Sequence, residues 1–346
     1  MAKLKYYALC SRNLHSLKRH ATIIPKEDLV IVLNAKLNCP EREINEYFLK
    51  KAEEYCVSEE IEYYITPSDG TPSTGKNSVF ALFEASDNDY MVLVDGDDFV
   101  TPHGLWLYNK IAQSESPPDA IAMEYQYGMI PNDGYTASDD LLSIQKLHLN
   151  GETPQHYLDP KYIHAYGFRI FMRTKPWWEL ALQGKSVDVF DEFSELCSHY
   201  HQRIHQVAHR YISNWEPHLR VTFYSKKGAK FKMDPELLVG EDTMQYLNLK
   251  HAWSEGNLDL RHLNEIYPTY VYDQRLDGIV KYANERDDGH GWLNWMTKLS
   301  KAYDKLEERN ELHEETPPYV ILPEFPEDYI PDTLGLVNFP ARTPKY

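Results

Sequence analysis

The chain holds 346 residues, 53 of them acidic and 36 basic, for a formal net charge of -17, with 42% hydrophobic and 13% aromatic residues. Length and composition exclude a small disulfide-stapled scaffold and a disordered chain, and the charge opposes a protein that coats a polyanion with most of its surface. No apolar run approaches the roughly 20 residues that span a bilayer, and residues 1–10 lack the apolar core of a signal peptide, so a soluble cytoplasmic protein without membrane partners is expected.

In chain order, Tyr7-Ala8-Leu9-Cys10 reads as a first strand running into a turn at Ser11-Arg12-Asn13. Leu29 to Leu33 has the length and β-branching of a strand covered on both faces. Pro40 precedes a helix with Ile44, Phe48, Ala52 and Tyr55 on one face. Ile61 to Ile65 reads as the next strand, and Ser73 or Thr74 is expected to cap a helix through Val79, Leu82 and Phe83. Tyr90 to Val94 is a further strand, Pro102 opens a helix with Leu105, Tyr108, Ile111 and Ala112, and Ala120 to Met123 is another strand. Such alternation predicts an α/β fold, a mainly parallel sheet with helices on both faces and ligands beyond the strands' carboxyl ends.

Past residue 126, glycines and Asn132-Asp133-Gly134 interrupt the periodicity, so the chain divides into regions 1–125, 126–306 and 307–346. Within the second, residues 199–232 carry seven basic residues against Glu216 alone, a local balance of +6. The third holds seven prolines and nine acidic residues against three basic ones, and is expected as an extended arm packed by its aromatics or as a mobile tail. Cys10, Cys39, Cys56 and Cys197 form no CxxC pair and are expected to be buried thiols; Trp292 and Trp295 are expected in the core.

The sharpest chemical signal is Asp95-Gly96-Asp97-Asp98, directly after the strand ending at Val94. Three carboxylates at a strand's carboxyl end, with a glycine that permits close approach, suit a hard divalent cation shared with phosphate oxygens, magnesium or manganese. The competing reading is an acidic Asp-Gly turn, which needs neither the buried strand nor mutually repelling acids.

An apolar strand, Asp-Gly-Asp-Asp, then Thr-Pro and a helix resembles the DxD region of GT-A glycosyltransferases, particularly the family 2-like group. The resemblance implies a GT-A fold, a Rossmann-like mixed sheet flanked by helices, with an α-rich acceptor-side and C-terminal region. Asp69-Gly70-Thr71-Pro72-Ser73-Thr74-Gly75-Lys76-Asn77 is similar to that group's loop ending in Ala-Arg-Asn, with Lys76 where the family has Arg. Val239-Gly240-Glu241-Asp242 resembles its acceptor-side Glu-Asp motif. By this resemblance, Asp97 with Asp95 or Asp98 beside it holds the metal, and His290, between two glycines, is its third ligand. Ser11, Arg12, Asp69, Lys76, Asn77, Asp95 and Gly96 face a UDP-sugar, Asp242 takes the acceptor's proton with Glu241 positioning, and transfer inverts the anomeric carbon.

Residues 1–110 further resemble tailed-bacteriophage enzymes that glycosylate hydroxylated or hydroxymethylated pyrimidines in DNA. That implies a double-stranded modified DNA acceptor, for which Arg203, Arg210, Arg220, Lys226, Lys227 and Lys230 are the candidate phosphate contacts. A glycan, protein or lipid acceptor is the alternative. A nucleotidyltransferase, or a non-catalytic sugar- or nucleic-acid-binding module, are the readings from other classes.

Overall fold

A computed structural model of the chain describes residues 2–11, 14–35, 42–66, 71–123, 126–131, 168–173, 220–238, 240–265, 267–273 and 291–334. The strands are β1 (Leu4–Cys10), β2 (Leu29–Leu33), β3 (Glu62–Ile65), β4 (Tyr90–Asp95), β5 (Phe99–Val100), β6 (Ala120–Met123), β7 (Gln126–Pro131), β8 (Phe168–Arg173), β9 (Arg220–Ser225), β10 (Leu260–Leu263) and β11 (Tyr270–Asp273). The helices are α1 (Leu14–Ile23), α2 (Arg42–Ser58), α3 (Pro72–Ala85), α4 (Pro102–Ala112), α5 (Glu241–Ser254) and α6 (Gly291–Glu308).

A seven-stranded sheet runs β10-β6-β9-β4-β1-β2-β3, and a smaller four-stranded sheet runs β5-β11-β7-β8. In the larger sheet every pairing is parallel except the two made by β9. This is the mainly parallel α/β sheet expected from the alternation of strands and helices, made mixed by the two antiparallel pairings of β9. The long apolar runs alternate sides strictly: Tyr7, Leu9, Val30, Val32, Met91 and Leu93 join one core, while Tyr6, Ala8, Ile31, Leu33, Val92 and Val94 join the other. The period of two makes each run hydrophobic on both faces. Helices α3, α5 and α6 cover the first face, and α1, α2 and α4 the second.

Helix α3 starts earlier than Ser73 or Thr74. Thr71 is its N-cap, accepting from the Thr74 N–H at 3.4 Å, because Pro72 at the first helical position is preset in φ and needs no partner for a missing N–H. Among its described residues, the region beyond residue 126 supplies five strands and two helices. Its β9 inserts between β4 and β6, so the two parts of the chain share one sheet.

After α6 the chain runs extended along the larger sheet and α4. His262 donates its N–H to Pro318 O at 2.8 Å and accepts from the Val320 N–H at 2.8 Å. Farther on, Tyr329 and Phe325 stack on Trp106 with ring centroids 4.4 and 5.3 Å away. Cys10 and Cys56 are buried free thiols; Cys39, Cys197 and the side chains of Trp292 and Trp295 lie outside the described residues. Among the described residues, no helix is long and apolar enough to cross a membrane.

Candidate active site

Strand β4 ends at Asp95, and its register with β1 sets Asp95 beside Leu9 at the carboxyl edge of the sheet. Gly96 is required next, since a Cβ there would stand 2.3 Å from the Leu9 carbonyl oxygen and 2.8 Å from Cys10 Cα, both immovable backbone. The antiparallel β9 delivers its first residue to the same edge: Val92 pairs with Phe223 and Met123 with Arg220. Arg220 thereby reaches both flanking acids, with Nη2 2.7 Å from Asp95 Oδ2 and Nη1 3.0 Å from Asp98 Oδ2. Pairing of β5 with β11 brings in Tyr270, whose hydroxyl donates to Asp98 Oδ2 at 2.7 Å and accepts from the Asp95 N–H at 3.1 Å. Its ring carries the Arg220 guanidinium, 4.8 Å from the centroid.

The second component is the start of α5. Gly240 caps it at φ +75°, where a Cβ would also meet Leu299 at 2.6 Å, and Glu241 and Asp242 follow in the first turn, which the helix dipole favours. Lys76, 2% exposed in α3, joins the two components. Its Nζ lies 2.6 Å from Asp242 Oδ1, 3.0 Å from Glu241 Oε1 and 3.5 Å from Asp95 Oδ2. Segments as distant in sequence as residues 76, 95–98, 220, 241–242 and 270 thus meet at one point.

Burial alone would raise the Asp95 carboxyl, but Arg220 and Lys76 outweigh it and hold it below the usual range. Asp98 goes the other way: burial, with Asp97 and Asp95 nearby, pushes it well up despite Arg220. Of the two acids on Arg220, Asp95 keeps the charge. Arg220 and Tyr270 both direct a donor at Asp98 Oδ2. Glu241 is pushed up to about 7 by burial and by Asp242, against the pull of Lys76.

Because the folded value for Glu241 lies above its ordinary 4.5, its ionisation costs stability above pH 7, and that cost disappears as pH falls to 4.5. Glu241→Gln should therefore flatten the pH–stability curve in that window. Its urea midpoint should gain on wild type at pH 8 relative to pH 5, by on the order of 1–3 kcal/mol in unfolding free energy. Parallel curves for the two proteins would contradict this placement of Glu241.

The structure gives several of the expected site residues partners within the protein. Lys76 was expected to face nucleotide phosphates; it is buried among three carboxylates. Asn77 exchanges two hydrogen bonds with the Met233 backbone, at 2.8 and 2.9 Å, and so fixes the segment leading to α5. Asp98, expected as a metal ligand, is fully buried and held by Arg220 and Tyr270. Ser11 is exposed at the end of β1, next to the edge where Asp95 sits. Arg12, Asp69 and His290 lie outside the described residues.

The basic stretch does not form an acceptor groove in its described part. Arg220 is internal to the site. Lys226 donates to the carbonyls of Phe83 and Ser86 at the end of α3, with its ammonium 4.2 Å from the centroid of the Phe83 ring. Lys227 pairs with Asp119 at 3.2 Å, and Lys230 is exposed on the same turn. Since Ser225 pairs with Tyr90, these lysines sit at the amino end of β4, about 15 Å of strand away from Asp95. Arg203 and Arg210 lie outside the described residues.

As to a divalent ion, no group of three or more His, Cys, Asp or Glu among the described residues is arranged to hold one. Magnesium is commonly held by one or two carboxylates together with substrate phosphates and water. Asp95 and Asp97 fit that pattern: Asp95 Oδ1 is buried without a hydrogen-bond partner, and Asp97 is half-buried two residues along the turn.

No protein-family model and no curated protein matches the chain. Among solved structures, S. aureus TarS residues 1–349 in complex with UDP-GlcNAc is similar at 14% identity and TM-score 0.41, covering 81% of this chain and 61% of that one. The same protein in complex with UDP gives 14% identity and TM-score 0.39 over 79% of this chain and 60% of that one. A further crystal structure of S. aureus TarS gives 14% and 0.38, covering 79% of this chain and 37% of that one. The chain therefore spans between about a third and three-fifths of the length of these three structures.

Proposed function

We propose that the chain is a GT-A-type glycosyltransferase that moves a sugar from a nucleoside diphosphate sugar, UDP-linked, to a hydroxyl acceptor with inversion. The observation that carries this is the meeting of the Asp95–Asp98 turn with Glu241 and Asp242 through Lys76 at the carboxyl edge of a mixed sheet. One acidic element there suits a donor, and a second, a few ångströms away, suits a proton acceptor. Asp242, with a side chain 31% exposed, is accessible to an incoming hydroxyl, whereas Glu241 at 9% is not.

Asp242 takes the proton of the acceptor hydroxyl as its oxygen bonds to the anomeric carbon. The bond from that carbon to the phosphate oxygen breaks on the opposite face, and the nucleoside diphosphate leaves with the electron pair. Asp95 and Asp97 would hold Mn2+ or Mg2+ together with the diphosphate, and such an ion neutralises charge on the leaving group. Lys76 and Arg220 fix the carboxylates that surround the reaction.

The acceptor hydroxyl is that of a glycan, protein or lipid. Phosphates of a duplex would need cations near Asp242, whereas among the described residues of the basic stretch Lys226, Lys227 and Lys230 occupy the opposite edge of the sheet. Incubation with UDP-sugars, Mn2+ and acceptor panels, with product analysis, tests this. Free UDP and a glycosylated non-nucleic acceptor are expected. Pyrophosphate would indicate a nucleotidyltransferase. Glycosylation of hydroxymethylated duplex DNA, with affinity falling as salt rises, would return the acceptor to DNA.

A further inference from the structure

Helix α1 sets two fully buried polar side chains against the backbone of the Asp95–Asp98 turn. Arg19 Nη2 donates to the Asp97 carbonyl at 2.7 Å and to the Asp98 carbonyl at 2.9 Å, and His20 Nε2 lies 3.2 Å from the Gly96 carbonyl. Three successive carbonyls of one turn thus face donors from two adjacent residues of one helix. The Arg19 guanidinium also lies over the Phe99 ring, 4.4 Å from its centroid, just past the turn. A carbonyl can only accept, so His20 carries its proton on Nε2. Burial, with Arg19 adding, pushes the imidazole down to about 3 and keeps it neutral. On the other side of the turn, Gly96 rests on the β1 backbone so closely that a Cβ there would stand 2.3 Å from Leu9 O.

Packing α1 on the sheet needs only apolar side chains, which Leu14 and Leu17 supply. Burying a guanidinium and an imidazole there carries a desolvation cost, which their hydrogen bonds to the carbonyls of this turn help to offset. We propose that Arg19 and His20 are positioning residues of the donor site: by holding the carbonyls of Gly96, Asp97 and Asp98, they fix how the Asp97 carboxylate is presented to a nucleoside diphosphate and its divalent ion. This rests on the assignment of Asp95 and Asp97 to donor binding. The relation is that of an outer group to a ligand it orients, where removal of the outer group commonly weakens binding about 10–100-fold.

The test is calorimetric titration of UDP in the presence of Mn2+ into the full chain and into His20→Phe, His20→Gln and Arg19→Lys, with urea midpoints and steady-state kinetics alongside. His20→Phe removes the donor to Gly96 and should weaken UDP binding about 10–100-fold and raise the donor KM correspondingly, with the acceptor KM unchanged. His20→Gln keeps a neutral N–H in reach and should stay within about threefold of wild type. Arg19→Lys, with one ammonium in place of the planar fork, should fall between and serves as the test if His20→Phe fails to fold. A His20→Phe or Arg19→Lys protein with a shifted urea midpoint but wild-type UDP affinity would show a purely structural role and overturn the proposal. Absence of UDP binding by the wild type would instead overturn the donor-site assignment itself, and the positioning role with it.

Discussion

Arg220→Met should lower the unfolding free energy by about 3–5 kcal/mol, read from urea denaturation, because it leaves two internal carboxyl groups without their shared cation. Asp95 and Asp98 both direct Oδ2 at the guanidinium, and the ring of Tyr270 lies against it. Methionine fills much of the volume but answers neither acid. Lysine should recover little, since a single ammonium cannot bridge both carboxylates or stack flat on Tyr270. The deficit should also depend on pH with a defined sign. Asp95 is held below its ordinary 3.8 in the folded protein, so its contribution is present above that value and is lost as pH falls through the folded one. Wild type and variant should therefore converge in strong acid. A variant within about 1 kcal/mol of wild type at pH 7 would place Arg220 outside the charge network.

Asp242→Asn should reduce kcat for sugar transfer by about 10²–10⁴-fold with little change in donor KM. Asparagine keeps the shape and an acceptor oxygen for Lys76, which now lies 2.6 Å from Asp242 Oδ1, but cannot take a proton. Glu241→Gln should cost far less activity, because Glu241 is buried behind Lys76. If the two effects were reversed, Glu241 would be the proton acceptor and Asp242 its support.

Much of the sheet was legible because its strands are unbroken apolar runs with β-branched residues, and both faces are covered. Leu29–Leu33 and Ala120–Met123 fall on their expected bounds for that reason. The Asp-Gly-Asp-Asp turn was legible because it follows such a run directly. Arg220 was misplaced for an equally physical reason. Counted by charge, it belongs with the lysines that follow it; counted by pattern, Arg220-Val221-Thr222-Phe223-Tyr224-Ser225 is a β-branched and aromatic run, hence a strand, and a strand's two ends lie at opposite edges of a sheet. Its antiparallel direction, which sends Arg220 to the site and Lys226 away from it, is a property of tertiary pairing that composition does not carry. Tyr270, Arg19 and His20 were missed because single residues of common type give no local signal. Lys76 was assigned to phosphate because a basic residue early in a helix after a glycine-containing loop suits an anion; its three carboxylate partners come from elsewhere in the chain.

The most direct measurement is calorimetry of UDP with Mn2+ on the wild type and on Asp97→Asn, with urea midpoints of both proteins taken alongside to establish that the variant is folded. Saturable, Mn2+-dependent binding by the wild type, weakened at least about tenfold in the variant, is predicted from a turn that grips a nucleoside diphosphate through its acids. No binding by the folded wild type, or equal affinity in the two proteins, would contradict it.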